Sequence, residues 1–506
     1  MTGVVCTPLY AEWLALRAAH PVHTGRSRGA HLEGPTLIAG VAGALIEGIA
    51  PGDLVVATEI QHATRTTPGA EAADFRPGRE GAGVRWGRSV SCDAAVLVAG
   101  ELRRRGFTVH AGPVVTTDHV VDSAAERAGF AARGAVAVDT ESGLLAGEGG
   151  RSVVVRVVVD TPGQPLRGIG MPWRGVRALL ELRPTAGVIN AWSAATGERE
   201  VLLAAPRSFC AGVERAIETV EQALERFGAP VYVRRQIVHN RHVVGDLERR
   251  GAVFVEEVDA VPEGSVLVLA AHGVAPTVRA QAAERHLRVI DATCPLVSKV
   301  HQEVRRYAGN DNTVVLIGHA DHEEVVGTTG EAPDHVLVVS SPAEAATIQV
   351  PDPTRVAYAM QTTLAVEDAS ETAAVLRRRF PALKGPRTDD ICYATSNRQA
   401  GLRAIARRSD LVIVLGSQNS SNSHRLVEVA EAAGTPAVLV DDAGELPLDR
   451  LAGANRIGIT AGASAPPALV DELVRCLSGL GPITVTETGE PTEDVRFVLP
   501  REVTQP

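Results

Sequence analysis

The feature that most constrains the fold is a repeated local pattern. A short run of apolar, β-branched residues is followed by Gly, Ser, His or Asn, and then by a helical periodicity. The runs are VLLAA (201–205), VLVLAAHG (266–273), TVVLIGHA (313–320), VLVVSS (336–341), LVIVLGS (411–417), AVLVDD (437–442) and RIGITAG (456–462). Such runs are typical of buried parallel strands, and their alternation with helices indicates βαβ units. The sequence therefore predicts an α/β protein.

The length of the chain predicts more than one domain, because 506 residues exceed what one core usually holds. Before about residue 198 the strand and helix pattern is interrupted. The stretch 161–175 is rich in Gly and Pro and is typical of a loop, whereas 187–200 is typical of a connection to a new unit. We expect an N-terminal domain over 1–198, a larger domain over 199–490 and a C-terminal tail over 491–506.

Charge and hydropathy exclude some classes of function. The net charge of −10 argues against a nucleic-acid-binding surface. We expect no membrane span, because no apolar run approaches about 18 residues. The layout of a signal peptide is not seen after Met1, so we expect a cytoplasmic protein. In that compartment the six cysteines are not expected to form a disulfide framework.

Three of the cysteines occupy similar positions. Cys210, Cys294 and Cys392 each lie at or near the start of a helical pattern, which for Cys392 begins at Asn397. A helix N-terminus favours the thiolate, the form that binds metals. Their wide separation excludes a local zinc knuckle. Three thiolates without a fourth ligand suit an iron–sulfur cluster with one open iron better than structural zinc. The alternative is that all three are ordinary buried cysteines.

Histidines and acids are concentrated in the loops after predicted strands. They are His239, His272, His319, His322, Glu323 and Glu324. A single histidine in such a loop is commonly structural, but several together at strand ends favour a binding site.

Two further loops are rich in hydroxyl and amide side chains. They carry Ser420, Ser421 and Asn422 in one case and Ser464 in the other. An ordinary helix N-cap explains such residues equally simply. The functional interpretation is an anion-binding loop, in which hydroxyls, amides and helix N–H groups bind phosphate oxygens. With few lysines nearby, this arrangement suits a small diphosphate.

The motifs together resemble one enzyme family. In chain order they are PRSFCAGVERAI, VHNRHVV, AAHGV, DATCPLVSKVH, GHADHEEVVGTTG, QTTLAVED, DDICYATSNRQ, GSQNSSNSHRL and TAGASAP. They resemble 4-hydroxy-3-methylbut-2-enyl diphosphate reductase, which performs the last step of the non-mevalonate isoprenoid pathway, over residues of about 200–485. The resemblance implies three α/β subdomains around a central iron–sulfur cluster.

The resemblance also implies roles for single residues. Cys210, Cys294 and Cys392 would ligate one [4Fe-4S] cluster with an open iron, Glu324 would be the proton source, and Thr362 would steer the hydroxyl end of the substrate. Substrate contacts would come from His239, His272, His322, Ser420, Ser421, Asn422 and Ser464. Two positions depart from the family pattern. Ser208 stands where Gly is common, and Glu323 stands where Pro is common and adds a charge that would alter the pKa of Glu324.

The implied reaction is the reductive dehydroxylation of 4-hydroxy-3-methylbut-2-enyl diphosphate to isopentenyl and dimethylallyl diphosphate. Its electrons would come from ferredoxin or flavodoxin. One alternative is a cluster-bearing sensor on the same fold, although Glu324 and Thr362 argue against it because a sensor needs no proton source. The other alternative is a nucleoside-processing enzyme that acts through the N-terminal domain.

The N-terminal domain has a resemblance of its own. The stretches 37–60, 112–121, 134–146 and 153–162 resemble the nucleoside phosphorylase and nucleosidase superfamily. The resemblance implies that Glu141 binds ribose hydroxyls and Asp160 protonates the departing base. Both acids are equally well explained as residues that cap or flank a strand. The glycine-rich phosphate-binding region of that family is shortened or missing here, so the domain is expected to be a degenerate scaffold, a regulatory binding domain or an enzyme on an unusual nucleoside-like substrate.

Overall fold

The chain forms two compact α/β units. The computed structural model describes residues 3–25, 34–65, 84–147, 149–166, 171–388, 390–489 and 493–504. The first unit comprises 1–201, 442–457 and 471–485, and the second comprises 202–441, 458–470 and 486–506. The α/β prediction is confirmed. The units are not continuous in sequence, because 442–457 and 471–485, which lie C-terminal to the boundary predicted near 198, group with the first unit.

The first unit is built on an eight-stranded sheet. Its strands are β1 (Val4–Thr7), β2 (Val22–His23), β3 (Thr36–Ala44), β4 (Leu54–Arg65), β5 (Val84–Ser91), β6 (Val109–Thr117), β7 (Ala137–Asp139) and β8 (Ser152–Asp160). The helices before residue 198 are α1 (Tyr10–Ala15), α2 (Ala95–Arg104), α3 (Ala124–Ala131), α4 (Ser142–Leu145), α5 (Met171–Leu182) and α6 (Ala186–Ala195). The strand order is β2-β1-β3-β7-β6-β4-β5, and β8 pairs with both β3 and β4. Every residue of β8 is buried, as its valine-rich sequence predicts.

The rest of the chain forms three smaller sheets. Its strands are β9 (Arg199–Ala204), β10 (Val231–Arg234), β11 (Ala252–Val255), β12 (Val266–Leu269), β13 (Arg288–Asp291), β14 (Thr313–Ile317), β15 (Val336–Val339), β16 (Val356–Met360), β17 (Leu411–Leu415), β18 (Ala437–Val440), β19 (Arg456–Ala461) and β20 (Ile483–Thr488). Its helices are α7 (Ala211–Phe227), α8 (Arg241–Arg249), α9 (Pro276–Glu284), α10 (Pro295–Ala308), α11 (Glu323–Thr329), α12 (Pro342–Thr347), α13 (Val366–Arg379), α14 (Tyr393–Ala406), α15 (Ser421–Ala432), α16 (Pro467–Ser478) and α17 (Arg501–Thr504). The three sheets have the orders β11-β10-β12-β13, β15-β14-β16 and β18-β17-β19-β9-β20.

The parallel arrangement determines where the loops meet. All neighbours in the four-stranded and three-stranded sheets are parallel, and so are β17 and β18. The loops after their strands therefore emerge at the carboxyl ends, where ligands bind in open α/β sheets. The reductase-type site residues follow β9, β10, β12, β13, β14, β16, β17 and β19, either in the loop or at the start of the next helix, except Cys392, which follows α13 and precedes α14.

The C-terminal residues pack on the second unit. Val503 of α17 is buried with Val213 and Val220 of α7 in one hydrophobic cluster. Glu493 accepts hydrogen bonds from the buried Arg398 guanidinium at 3.1 Å. The predicted tail, 491–506, is thus in part a structural element, whereas 491, 492, 505 and 506 lie outside the described residues. Among the described residues, no helix is long and apolar enough to cross a membrane.

The departure from Gly at Ser208 has a structural cost. Ser208 has a φ of 64°, in the left-handed region that favours glycine, and its buried hydroxyl has no hydrogen-bond partner in the described part of the chain. We expect Ser208→Gly to stabilise the protein by about 1 kcal/mol, measured as a higher midpoint of urea unfolding. Ser208→Ala is the matched control, because it removes the hydroxyl and keeps the strained backbone. An equal gain in both variants would show that the backbone strain contributes nothing.

Candidate active site

Each of the three cysteines caps the N-terminus of a long helix. Cys210 precedes α7, Cys294 precedes α10 and Cys392 precedes α14. The prediction that they lie at helix starts is confirmed, but α14 begins directly after Cys392, at Tyr393, and not at Asn397. Their backbone N–H groups donate to the carbonyls of Ala463, Ala271 and Thr362, respectively, at 3.2, 2.9 and 3.0 Å. Each cysteine is therefore fixed to a different loop of the same unit.

The three thiols line one cavity. Burial raises the pKa of Cys294 to about 11 and that of Cys392 to about 12. The charges of Cys210 and Cys294 add to the shift of Cys392, as expected for neighbouring thiols. The predicted lowering of the pKa by the helix N-terminus is outweighed at Cys294 and Cys392. Cysteines bind metals as thiolates whose charge the cation compensates, so three cysteines on one cavity fit a metal centre.

Gly212 leaves room beside the sulfur atoms. A Cβ at this position would lie 2.7 Å from the Cys294 Sγ and 3.9 Å from the Cys210 Sγ. The first of these distances is well below van der Waals contact. The absence of a side chain in the first turn of α7 therefore keeps space open around both sulfurs. No sequence pattern indicated a role for Gly212, although it lies two residues after the first cysteine.

We expect Gly212→Ala to lower the iron content of the purified protein several-fold, because the added methyl group displaces Cys294. Iron and acid-labile sulfide per polypeptide are the measurements. Gly245→Ala in α8 is the matched control, because its Cβ would meet only the Arg249 Nη1, at an ordinary 3.7 Å. Full iron content in Gly212→Ala would show that the cavity tolerates the methyl group.

Glu324 and Thr362 form a buried pair in the same cavity. The Thr362 backbone N–H donates to Glu324 Oε1 at 2.7 Å, and its hydroxyl donates to Oε2 at 2.9 Å. Only 2% of the Glu324 surface is exposed, and burial raises its pKa to about 7. The neighbouring charge that adds to this rise is Asp390, whereas the sequence pointed to Glu323. A carboxyl with such a pKa holds a proton near neutral pH.

Three histidine rings meet at another side of the cavity. The rings of His239 and His272 stack with centroids 4.0 Å apart, and His322 stands nearly perpendicular to both at 5.8 and 6.1 Å. Burial lowers the pKa of His239 to about 2, of His272 to about 3 and of His322 to about 4. All three rings are therefore neutral at physiological pH. His319 contacts Arg425 instead and is not among the residues that line the cavity.

The hydroxyl and amide residues complete the wall. Ser420 caps α15, and the Ser421 Oγ accepts a hydrogen bond from the Thr363 hydroxyl at 3.2 Å. The Ser464 hydroxyl donates to the His239 carbonyl at 2.9 Å. Asn422 is 5% exposed, and neither its Oδ1 nor its Nδ2 has a hydrogen-bond partner among the described residues. An amide buried without partners in a cavity wall is poised to bind a polar ligand.

The reductase-type predictions converge on this one cavity. Its lining includes every predicted site residue of the second unit: Cys210, Cys294, Cys392, His239, His272, His322, Glu324, Thr362, Ser420, Ser421, Asn422 and Ser464. Gly212, Thr363 and Thr395 also line it. The Thr395 hydroxyl donates to the Thr362 carbonyl at 3.2 Å, a contact that no sequence pattern indicated.

The first unit has a separate cavity of about 550 Å³, and both Glu141 and Asp160 line it. Asp160 is the last residue of strand β8 and pairs with the buried Arg127 of α3 through one carboxylate oxygen. Its other oxygen, Oδ1, is buried without a hydrogen-bond partner in the described residues. Burial raises the pKa of Asp160, although Arg127 acts in the opposite direction. Glu141 lies 3.7 Å from the Arg156 guanidinium.

Comparison with known proteins agrees with both resemblances. The profile of the LytB protein family matches residues 201–478, and that of the phosphorylase superfamily matches 36–147. The 4-hydroxy-3-methylbut-2-enyl diphosphate reductase of Acidothermus cellulolyticus is 58% identical over 307 residues, which cover 60% of this chain and 90% of that protein. Reductase 1 of Mycobacterium tuberculosis is 53% identical over 313 residues, covering 61% and 95%.

Among solved structures, the E-1-hydroxy-2-methyl-but-2-enyl-4-diphosphate reductase of Plasmodium falciparum is 36% identical, with a TM-score of 0.58. The match covers 61% of this chain and 98% of that structure. The recognition made from the motifs is therefore confirmed. This chain belongs to the LytB, or 4-hydroxy-3-methylbut-2-enyl diphosphate reductase, family.

Proposed function

We propose that this chain converts 4-hydroxy-3-methylbut-2-enyl diphosphate to isopentenyl and dimethylallyl diphosphate by reductive removal of the hydroxyl group. The observation that carries the proposal is the convergence of three cysteines, one protonatable buried carboxyl and a set of neutral hydrogen-bonding groups on one cavity. The family relationship supports it, because the relatives named above carry this activity in their names.

Cys210, Cys294 and Cys392 are proposed to hold one [4Fe-4S] cluster. Three thiols at three helix N-termini, with the space that Gly212 leaves beside them, fit such a group. When bound, the cluster supplies two electrons, one at a time, and a Lewis-acidic iron for the substrate hydroxyl. The three cysteines have to stay reduced to bind the cluster, so we propose that the protein is cytoplasmic. We propose ferredoxin or flavodoxin as its electron donor.

The diphosphate is proposed to lie against the histidines and the start of α15. His239 and His272 are neutral, so they bind phosphate oxygens as hydrogen-bond donors and not as cations. Ser420, Ser421 and Asn422 stand at the N-terminus of this twelve-residue helix, whose free N–H groups favour an anion. His322 and Ser464 close the same pocket.

Glu324 is proposed to supply the proton that lets the hydroxyl group leave as water. Its pKa of about 7 keeps a proton available, and the cavity shields it from bulk water. Thr362 orients the carboxyl through its two hydrogen bonds and lies close to where the hydroxyl end would be. Glu324 and Thr362 act in the step in which the hydroxyl group leaves, before any carbon is protonated. A change at either residue is therefore expected to slow that step.

The pH dependence of turnover tests this role. The active form carries the proton, so kcat/KM is expected to fall by up to tenfold per pH unit above about pH 7. Thr362 donates to the ionised carboxylate and thereby lowers its pKa. We expect Thr362→Val to move the falling limb upward by about half to one pH unit. A limb that stays in place, or moves downward, would contradict the assignment of the proton to Glu324.

The proposal as a whole is tested by anaerobic turnover of the diphosphate substrate with dithionite and a viologen as donor. The expected result is an iron-loaded protein that releases both isomeric products. Iron-loaded protein without turnover favours a cluster-based sensor. Protein that binds no iron rejects the three-cysteine site. Replacing the viologen by ferredoxin or by flavodoxin then identifies the class of donor.

A second activity is proposed for the first unit, because Glu141 and the unpartnered Asp160 Oδ1 line one cavity. The ligand would be nucleoside-like, with Glu141 on ribose hydroxyls and Asp160 at the base. The test is base release from a panel of nucleosides by the full chain and by Asp160→Asn. No release by the wild type, or equal release by both, rejects the assignment.

A further inference from the structure

A cluster of metal-ligating side chains lies beside the three cysteines and involves none of them. His239, His272 and Glu323 each place one ligand atom within 4.8 Å of the other two. The residues come from three different loops, behind β10, β12 and β14, so only the tertiary fold brings them together. Glu323 has no role in the proposed reduction, and it stands where the family commonly has proline.

We propose that His239, His272 and Glu323 form a binding site for a divalent cation of the Zn²⁺ class. Two imidazoles and one carboxylate are a ligand set that zinc commonly takes, with the fourth position left to water or another ligand. Magnesium and calcium prefer oxygen ligands and are not expected to compete.

The Glu323 carboxylate makes two long contacts, which leaves it able to bind a metal ion. Its Oε2 lies 3.5 Å from the His272 Nδ1, and its Oε1 lies 3.5 Å from the Arg235 Nη1. The His272 Nδ1 is buried and has no hydrogen-bond partner in the described part of the chain. A cation between this nitrogen and Oε2 would satisfy both atoms while Arg235 keeps its contact with Oε1.

The second imidazole is also in reach. The ring of His239 stacks on that of His272 at 4.0 Å. The His239 Nδ1 has one long contact, 3.5 Å, with the Asn419 side-chain nitrogen. Zinc–nitrogen bonds of about 2.0–2.1 Å require the ligand atoms to approach one another more closely than 4.8 Å. Rotation of the Glu323 side chain, which is 24% exposed, allows part of this movement.

Occupation of this site has a consequence for the substrate, and this step rests on the proposed function. The imidazole nitrogens that ligate a cation no longer bind phosphate oxygens. The cation is therefore expected to compete with the diphosphate and to raise KM while kcat at saturating substrate is unchanged. A cation of the Zn²⁺ class would then inhibit the reaction directly at the substrate pocket.

The test measures zinc binding first, because this readout does not need turnover. Iron-loaded, full-length protein is dialysed anaerobically against Zn²⁺ with excess Mg²⁺, and bound zinc is counted by mass spectrometry. Wild type is expected to hold about one zinc at this site. Glu323→Gln and Glu323→Pro are expected to weaken binding at least about tenfold. Proline is tolerated at the first position of α11, so folding should be kept.

Glu257→Gln is the matched control. Glu257 is the other carboxylate partner of Arg235, at 3.3 Å, and is not one of the three proposed ligands. The Glu257→Gln variant should bind zinc as the wild type does. Equal zinc binding by the wild type and both Glu323 variants would overturn the site. Zinc that binds without raising KM would overturn the competition. If the wild type shows no turnover, but Glu323→Gln binds less zinc than the wild type does, the proposed reaction is rejected and the cation site is supported.

Discussion

Cys294→Ser is expected to abolish iron loading and to lower reductive turnover at least about a hundredfold. Cys294 caps α10, its sulfur lies against the open space beside Gly212, and it acts electrostatically on Cys392. A serine hydroxyl at this position is a poor replacement for a thiolate, because iron–sulfur clusters are held by sulfur. The measurements are iron and sulfide per polypeptide, the visible absorption of the protein and turnover with dithionite and a viologen.

The chain offers three matched controls for this experiment. Cys6, Cys92 and Cys476 are also free and buried, but all three belong to the first unit and none lines the reductase-type cavity. Cys476→Ala should retain the iron and the activity of the wild type. Loss of iron in Cys476→Ala to the same extent as in Cys294→Ser would show that any buried cysteine is required for folding. The ligand assignment would then have no support from the experiment.

Much of this site was predictable because its residues repeat a local pattern. A strand, a polar loop and a helix recur along the second unit, and each site residue except Cys392 lies in such a loop or at the start of the helix that follows it. Short-range rules are enough to place Cys210 and Cys294 at helix starts. They are less accurate at Cys392, where the helical pattern was predicted to begin at Asn397, whereas α14 begins at Tyr393. Tertiary packing on the Thr362 loop there outweighs local preference.

Long-range effects were not predictable from local pattern. Burial raises the pKa of Glu324, and the charge that adds to this rise is that of Asp390, although Glu323 is the neighbour in sequence. The segments 442–457 and 471–485 group with the first unit. The Arg104 guanidinium donates to the carbonyls of Gly444 and Leu446 in the first segment, and the Gly197 N–H donates to the carbonyl of Leu480 in the second. Likewise, Arg127 reaches Asp160 from another element of the first unit. Each of these results from contacts between residues far apart in the chain, which periodicity and capping signals do not encode.

Glu324→Gln is expected to lower kcat by about a hundredfold to ten-thousandfold, the usual contribution of a positioned general acid. Glutamine keeps the size of the side chain and one of the two oxygens that accept from Thr362, but it carries no acidic proton. Iron content and KM should therefore change little while kcat falls. The pH dependence above about pH 7 should also disappear, because the group that titrates there is gone.

The control has to separate lost chemistry from lost stability, because Glu324 is buried. Glu331→Gln serves this purpose. The Glu331 side chain is only 3% exposed, and it binds His301 at 2.7 Å and Arg305, yet it does not line the cavity. Glu331→Gln should unfold more readily than the wild type and, where folded, retain its kcat and its pH dependence. If Glu324→Gln instead keeps more than about a tenth of the wild-type kcat, the proton comes from another donor.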